Sequence, residues 1–243
     1  RKILTKKNSL KLLVLLHSSI TYSKEIHPLI LISVDGLRYD YIEKYNPPTL
    51  SKIKKQGFFA QSLIPIFPSK TFPNHYSIIT GLYAEEHGII SNSFSDPTFG
   101  NEIYRISDRK SLNNSKWYKG QPFWETVQNN GYKSACYFWV GSEANINNKS
   151  PYYYEKYDGR VPGEKRVDQV IKWLTLPEDV RPKFITLYFS KVDSAGHKYG
   201  PDSKQVKNAL FEIDDHINRL LWKLKKNNTK ANILIVSDHG MRQ

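Results

Sequence analysis

The chain contains a single cysteine, Cys136, and a single methionine among its 243 residues. One cysteine excludes an intramolecular disulfide. Because Cys136 lies in the apolar segment YKSACYFWVG, we predict a buried strand residue and not a reactive thiol. The fold must therefore depend on a hydrophobic core, for which a chain of this length with 39% hydrophobic residues is sufficient.

The chain also lacks a hydrophobic run of the roughly 20 residues that a helix needs to span a bilayer. The apolar stretch at 10–16 is shorter, is flanked by basic residues and is followed by SSITYS, whose small residues suit a cleavage point. We predict a secretory signal over 1–23, followed by a folded domain over 24–243; an ordinary amphipathic helix is the alternative. The expectation is a periplasmic or secreted protein without a stable transmembrane anchor.

Acidic residues are scarce, with 23 Asp and Glu against 36 Lys and Arg, which gives a formal net charge of +13. Such a charge favours anionic partners. The basic residues are spread along the chain, and no RRM, zinc-finger or helix-turn-helix pattern accompanies them. We therefore predict no specific binding of nucleic acid.

Apolar segments with the features of buried strands alternate with helical patterns along the chain. The strands are predicted at 29–34, 58–64, 134–140, 184–189 and 232–237, and the helices at 48–57, 72–81, 121–131, 163–174 and 203–226. This alternation predicts an α/β fold, with a doubly wound, mainly parallel sheet and helices on both faces. Residues 92–163 are rich in turns and are predicted to form a loop-rich region around a binding pocket.

Three aspartates follow predicted strands: Asp35, Asp193 and Asp238. Ligands bind at the carboxyl ends of the strands in an open α/β sheet, although one aspartate there could simply cap a helix. Asp193 is accompanied by His197, which we predict to lie in the same short turn, and Asp238 is followed directly by His239. Carboxylate and imidazole together suit zinc or a similar divalent ion. The sequence therefore predicts a metal site, while a hydrogen-bonded loop histidine is an equal alternative for His197 taken alone.

Thr71 lies in the segment FPSKTFPNHY, with Pro65, Pro68 and Pro73 around it. Prolines fix φ and are tolerated in the first turn of a helix, so we predict a rigid junction between a strand ending at Ile64 and a helix beginning near Pro73. A hydroxyl held beside a helix N-terminus and a cation ionises more easily, which would make Thr71 a nucleophile. The alternative, which the local sequence alone favours, is that Thr71 only caps the helix.

Five segments in the correct order resemble the nucleotide pyrophosphatase/phosphodiesterase family of the alkaline phosphatase superfamily. They are ILISVDGLR, KTFPNHYSIITGLYAEEHGII, WYKGQPFW, VDSAGHKYGPDS and SDHGM, and the similarity runs from about residue 28 to the end. The resemblance implies an alkaline phosphatase-like fold, incomplete at its C-terminal end. It also implies a phosphodiesterase catalytic domain that hydrolyses nucleotide phosphodiester or pyrophosphate bonds and releases a nucleoside 5′-monophosphate. We expect a small-molecule nucleotide substrate and a monomer. Because animal members are rich in disulfides, one cysteine indicates a bacterial-type enzyme.

The resemblance implies that Thr71 is the nucleophile and forms a covalent intermediate. It further implies two zinc ions as cofactors. One would be held by Asp35, Thr71, Asp238 and His239, and the second by Asp193, His197 and a histidine from a segment downstream of SDHG. That segment lies beyond residue 243, so the expectation is either a fragment or an impaired enzyme.

The family also implies the pocket residues. Asn92 would contact a phosphate oxygen, Phe72 and Tyr157 would enclose a nucleobase, and Lys110, Trp139 and Tyr188 would line the pocket. Local sequence alone favours packing or turn roles for Phe72, Asn92, Trp139 and Tyr157. Glu143 stands where nucleotide-preferring animal members have Asp, which affects the expected base selectivity.

Two alternatives to a nucleotide phosphodiesterase stay open at this point. One is a phosphodiesterase of the same superfamily that acts on choline phosphodiesters or lysophospholipids, since only the pocket would distinguish it. The other is a catalytically impaired remnant that binds anions through its basic surface.

Overall fold

The computed structural model describes residues 26–242 of the chain. The strands are β1 (Leu29–Val34), β2 (Ser93–Ser95), β3 (Ile103–Arg105), β4 (Lys133–Tyr137), β5 (Tyr153–Glu155), β6 (Pro182–Phe189) and β7 (Asn232–Val236). The α-helices are α1 (Tyr41–Tyr45), α2 (Pro48–Gln56), α3 (Thr71–Thr80), α4 (Ala84–His87), α5 (Arg109–Leu112), α6 (Phe123–Asn129), α7 (Gly163–Leu174), α8 (Lys191–Tyr199) and α9 (Lys204–Lys226). The predicted signal over 1–23 lies outside the described residues.

Five of the strands form one sheet in the order β5-β4-β6-β1-β7, and every neighbouring pair is parallel. β1 lies between β6 and β7, and Ser33 near its end is opposite Tyr188 in β6 and Val236 in β7. Strands β2 and β3 form a separate antiparallel pair. The carboxyl ends of β6, β1 and β7 therefore lie side by side at one edge of the sheet.

Helices cover both faces of the sheet because alternate residues of the strands point to opposite sides. Ile30 and Ile32 of β1 pack in a cluster with buried residues of α7 and α9, whereas Leu31 packs in a second cluster with residues of α3 and α6. Cys136 is fully buried in β4, and burial raises the pKa of its thiol to about 12. The predicted doubly wound α/β fold and the structural role of Cys136 are confirmed.

The predicted strand at 58–64 is wrong. This segment is irregular, and Phe58 and Ile64 are 98% and 84% exposed. A strand needs a neighbour for its backbone N–H and C=O groups, and residues 58–64 pair with no other strand of the described chain. The apolar composition of a segment does not show whether a neighbouring strand is available to pair with it.

The predicted turn from Asp193 to His197 is also wrong, because these residues lie inside α8. Gly196, a residue that disfavours helix, obscured the helical pattern. A Cβ atom at Gly196 would lie 2.6 Å from the sulfur of Met241, so glycine allows α8 to approach the segment after β7. Asp193 and His197 are consequently separated by one helical turn.

The loop-rich region at 92–163 contains more regular structure than the sequence predicts. Strands β2, β3 and β5 each have three residues, which is too short for a periodic pattern. Among the described helices, none is both long and apolar enough to cross a membrane.

His87 at the end of α4 gives the fold a predictable dependence on pH. It is fully buried, its Nδ1 accepts a hydrogen bond from the N–H of Ile89 at 3.1 Å, and its Nε2 lies 2.9 Å from Oγ of Ser77. Burial lowers the pKa of His87 to about 4. Below pH 6.5 the unfolded chain binds this proton and the folded chain does not, so the free energy of unfolding should fall by up to about 3 kcal/mol between pH 6.5 and pH 4.

Urea unfolding at pH 7, 6 and 5 measures this effect in wild type and in His87→Asn. Asparagine can still accept from Ile89 but does not titrate. Other groups contribute equally to both proteins, so the difference between the two pH profiles isolates His87. Parallel profiles would show that His87 is not responsible.

Candidate metal and active site

The three aspartates that follow strands meet at the edge of the sheet formed by β6, β1 and β7. Asp35 follows β1, Asp238 follows β7, and Asp193 lies in the first turn of α8, which follows β6. Nε2 of His239 lies 3.5 Å from Oδ1 of Asp35 and 3.2 Å from Oδ2 of Asp238. Potential ligand atoms of Asp35, Asp193 and His239 lie within 4.8 Å of one another. The structure thus brings together residues that are far apart in sequence.

The carboxylates of this cluster fit a bound cation. Asp35 Oδ1, Asp193 Oδ1 and Asp238 Oδ2 are buried and have no hydrogen-bond partner within the described part of the chain. Buried polar atoms are normally paired, and unpaired buried carboxylates are costly. Divalent cations bound at this edge would satisfy these oxygens, and the mixture of Asp with His is typical of zinc.

The pKa values of the cluster also reflect an excess of buried negative charge. Burial raises the pKa of Asp35 to about 7, and the negative charge of Asp238 adds to this effect. Burial also raises the pKa of Asp238. For His239, burial acts to lower the pKa, but the carboxylates of Asp238 and Asp35 outweigh it and raise the pKa above its ordinary value. The site is therefore built to hold positive charge.

Thr71 is the first residue of α3, and its Oγ1 lies 3.2 Å from Nε2 of His239. The N-cap position belongs to Lys70, so the alternative in which Thr71 itself caps the helix is wrong. Pro73 has no N–H group and the N–H of Asn74 donates to the carbonyl oxygen of Lys70, so it is mainly the positive end of the helix dipole that favours an anion here. Asn92 is adjacent, because its Oδ1 accepts a hydrogen bond from the N–H of Phe72 at 3.1 Å.

His75 holds Thr71 in place, a role that sequence reasoning missed. Nδ1 of His75 lies 2.8 Å from the carbonyl oxygen of Thr71, and Nε2 lies 2.8 Å from Oγ of Ser33. A carbonyl can only accept, so Nδ1 carries the proton and Nε2 accepts from Ser33. His75 lies close to Asp35 and Asp238. Both of its ring nitrogens already form hydrogen bonds, so His75 links β1 to α3. The sequence signal that could have indicated this role is the spacing of four residues, which places His75 one turn after Thr71 on the same face of the helix.

Two further contacts orient the aspartates. The hydroxyl of Tyr188 donates to Oδ2 of Asp35 at 2.6 Å, and the N–H of Gly36 donates to Oδ1 of Asp238 at 3.2 Å. Gly36 has a φ of 71°, and a Cβ atom there would lie 2.9 Å from Cα of Asp193. Only glycine allows these three segments to come so close.

His197 lies at the solvent side of the cluster. Its side chain is 73% exposed, and its Nε2 is 3.3 Å from Oδ1 of Asp193. His197 is therefore adjacent to Oδ1 of Asp193 but is outside the group formed by Asp35, Asp193 and His239.

A cavity of about 300 Å³ adjoins the cluster. Its lining includes Asp35, Thr71, Phe72, Trp139, Glu143, Tyr157, Tyr188 and Asp193. A volume of this size is suitable for part of a small ligand. Trp139 is fixed to α3, since its Nε1 donates to the carbonyl oxygen of His75 at 3.0 Å.

Lys110, for which the family resemblance implied a place in the pocket lining, is exposed and lies outside the lining of this cavity. Asp108 caps α5 by accepting from the N–H of Lys110, which fixes the start of this short helix. The neighbouring Arg109, and not Lys110, reaches the rim of the cavity, where it contacts Glu143.

The parallel α/β sheet, with its Asp and His side chains gathered at the carboxyl ends of three adjacent strands, defines an alkaline phosphatase-like protein with a candidate metal site. The chain belongs to the type I phosphodiesterase/nucleotide pyrophosphatase family, whose family model matches residues 29–243. The family predicted from the sequence is confirmed.

Several relatives illustrate this membership. Human ectonucleotide pyrophosphatase/phosphodiesterase family member 1 is 44% identical over 90% of this chain and 24% of its own length. A venom phosphodiesterase from Macrovipera lebetinus is 43% identical over 90% of this chain and 26% of its own length. The chain therefore spans about a quarter of the length of these relatives.

Solved structures agree with the sequence comparison. Murine ectonucleotide pyrophosphatase/phosphodiesterase 5 is 33% identical, with a TM-score of 0.84 over 89% of this chain and 58% of that chain. An inactive threonine-to-alanine variant of the same murine protein, in complex with AMP, gives a TM-score of 0.84 at 32% identity over the same shares of the two chains. The expected alkaline phosphatase-like fold is confirmed.

Proposed function

We propose that this protein hydrolyses phosphodiester or phosphoanhydride bonds of nucleotides and releases a nucleoside 5′-monophosphate. The observation that carries this proposal is the position of Thr71, whose hydroxyl lies at the start of α3, against His239 and at the wall of a cavity lined by aromatic rings. Family membership supports the reaction. The murine neighbour supports the ligand, since its structure with AMP was obtained from a variant made inactive by the loss of one threonine.

Thr71 is the nucleophile in this proposal. Its Oγ1 forms a bond to phosphorus as the bond to the leaving oxygen breaks, which gives a covalent nucleotidyl-threonine diester. Water then attacks phosphorus, breaks the bond to Thr71 and releases the monophosphate. The hydroxyl of Thr71 is restored at the end of the cycle.

Two zinc ions are proposed as cofactors. Asp35, Asp238, His239 and Thr71 would hold one, and Asp193 and His197 would contribute to the other. When bound, these ions supply Lewis-acid chemistry that favours ionisation of the Thr71 hydroxyl and balances the charge of the phosphate.

Other groups of the chain stabilise charge and position the nucleophile. Negative charge that develops on the phosphate oxygens would meet the first turn of α3 and the amide of Asn92. His75 keeps the backbone of Thr71 at a fixed distance from β1 through Ser33. This preorganisation avoids the cost of reorienting the site during the reaction.

Phe72 and Tyr157 are proposed to enclose the nucleobase, since both line the cavity that contains Thr71. Trp139 and Tyr188 complete the aromatic lining. We further propose that the protein acts outside the cytoplasm as a monomer. The names of its relatives, which include ectonucleotide pyrophosphatases and venom phosphodiesterases, support the extracytoplasmic location.

The pocket predicts a preference among chromogenic phosphodiesters. Initial rates with the p-nitrophenyl ester of thymidine 5′-monophosphate and with p-nitrophenylphosphorylcholine compare two substrates that share the same leaving group. Base stacking on aromatic rings should give the nucleotide ester a kcat/KM about tenfold higher or more. A preference for the choline ester would assign the protein to the alternative substrate class, and full zinc content without turnover of either ester would indicate a remnant that only binds anions.

A further inference from the structure

Three segments meet around the backbone of Tyr157 at the rim of the cavity. Oε1 of Glu143 accepts a hydrogen bond from the N–H of Tyr157 at 2.9 Å, and Oε2 of Glu143 accepts from Nη1 of Arg109 at 2.6 Å. Nη2 of Arg109 also donates to the carbonyl oxygen of Tyr157. We call this closed ring of Arg109, Glu143 and Tyr157 the rim clamp.

The rim clamp joins parts of the chain that are not adjacent in sequence. Arg109 is the first residue of α5, Glu143 lies in the turns after β4, and Tyr157 follows β5. Glu143 and Tyr157 line the cavity. The clamp therefore fixes the position of one cavity wall relative to the rest of the pocket.

The ring of Tyr157 needs such support. It is 41% exposed, and it contacts Phe138, with ring centroids 4.9 Å apart, and Tyr188, with centroids 6.3 Å apart. Tyr157 lies beyond the last residue of β5, so the sheet does not fix its backbone. Within the described structure, its N–H and carbonyl groups are instead held by the side chains of Glu143 and Arg109.

The burial of Glu143 explains why Arg109 matters. The Glu143 side chain is only 14% exposed, although that of Arg109 is 51% exposed. An exposed ion pair contributes little, but a largely buried carboxylate that loses its cation is costly. Removal of Arg109 would leave Glu143 with an uncompensated charge against the aromatic wall. Both oxygens of Glu143 are already engaged, so its role is to hold the wall.

We propose that Arg109 and Glu143 are positioning residues that hold Tyr157 in place to receive a nucleobase, and that the preference of this pocket for nucleotides over phosphates without a base depends on the rim clamp. This inference rests on the proposed function. It concerns the base end of the ligand, because the three hydrogen bonds of the clamp join only Arg109, Glu143 and Tyr157.

Calorimetric titration with AMP and with ribose 5-phosphate, both in zinc-containing buffer, tests the clamp on the full chain. The two probes share the ribose and the phosphate and differ in the base. For wild type, stacking should make AMP bind about tenfold more tightly or more. In Arg109→Ala and Glu143→Gln the dissociation constant of AMP should rise roughly fivefold, because an unfixed side chain must be ordered on binding, while that of ribose 5-phosphate stays the same.

Arg160→Ala provides the matched control. Arg160 lies three residues after Tyr157, its side chain is 91% exposed, and it pairs with Asp158. Its loss should therefore change the dissociation constant of neither AMP nor ribose 5-phosphate. Arg109→Lys, which keeps the charge but loses the fork of two donors, should give an intermediate affinity for AMP.

Each outcome has a distinct meaning. Wild-type preference for AMP that persists in Arg109→Ala and Glu143→Gln overturns the clamp and leaves the proposed function intact. An equal loss of both ligands also overturns it, because the effect would then be structural. A wild-type protein that binds AMP no better than ribose 5-phosphate instead overturns the nucleotide pocket of the proposed function.

Discussion

Thr71→Ala should reduce kcat for a nucleotide ester by a factor on the order of 10⁴ while leaving the fold unchanged and most of the zinc bound, because three of the four proposed ligands of that ion remain. The variant loses the hydroxyl that lies at the start of α3 and beside Nε2 of His239. The helix remains, because its N-cap is the preceding residue. Initial rates with the p-nitrophenyl ester of thymidine 5′-monophosphate, together with zinc content by mass spectrometry, measure the two effects separately.

Thr71→Ser is the control for this prediction. Serine keeps the nucleophilic oxygen and loses only a methyl group, so it should retain measurable turnover, within about a hundredfold of wild type. Mass spectrometry of the quenched reaction should show a nucleotidyl adduct (thymidine 5′-phosphoryl) on residue 71 in wild type and none in Thr71→Ala. Near-normal turnover by the alanine variant would remove Thr71 from the mechanism.

Asp35→Asn should abolish zinc binding and reduce kcat/KM by about 10³-fold or more, because Asp35 belongs to both groups of side chains that could hold a metal. In the absence of metal, the same substitution should leave the stability of the fold unchanged or increase it. Asp35 Oδ1 is buried and unpartnered, so loss of its charge removes repulsion from Asp238. We expect the zinc-free variant to have a Tm equal to or above that of zinc-free wild type, and zinc to raise the Tm of wild type alone.

Asp214→Asn provides a contrasting buried aspartate. Asp214 lies in α9, is fully buried and accepts hydrogen bonds from the N–H groups of Thr49 and Leu50 at 2.9 and 2.7 Å. Because that carboxylate is satisfied by donors, its replacement should lower the Tm and leave the shift caused by zinc unchanged. If Asp35→Asn behaved like Asp214→Asn, the cluster would be an ordinary structural network.

The strands and helices that the sequence predicted correctly are those with long apolar or periodic patterns within one segment of the chain. Strands β1, β4, β6 and β7 are continuous apolar runs, and α7 and α9 have clear helical periodicity, so each was found within a few residues of its observed ends. The gathering of Asp35, Asp193 and Asp238 could be predicted from one rule, that parallel strands end at the same edge. Their roles as metal ligands stay a prediction.

Features that depend on contacts between residues distant in sequence could not be predicted from local patterns. The segment at 58–64 has the composition of a strand, but whether it forms one depends on an available neighbour. His75 acts through Ser33, which is 42 residues away, and no local pattern marks that pair. Likewise, the family resemblance implied that Lys110 lines the pocket, and nothing in the local sequence marked the neighbouring Arg109, which contacts Glu143 of the cavity lining.

The position of β1 between β6 and β7 determines when the site can be completed during synthesis. The N–H of Gly36 and the carboxylate of Asp238 are 202 residues apart in the chain, yet they are hydrogen bonded. A polypeptide that emerges from the ribosome with its N-terminus first presents Thr71 and Asp35 long before Asp238 and His239 exist outside the exit tunnel. The proposed cation site can therefore be completed only late, and the edge of β1 that pairs with β7 stays open to wrong partners until β7 arrives.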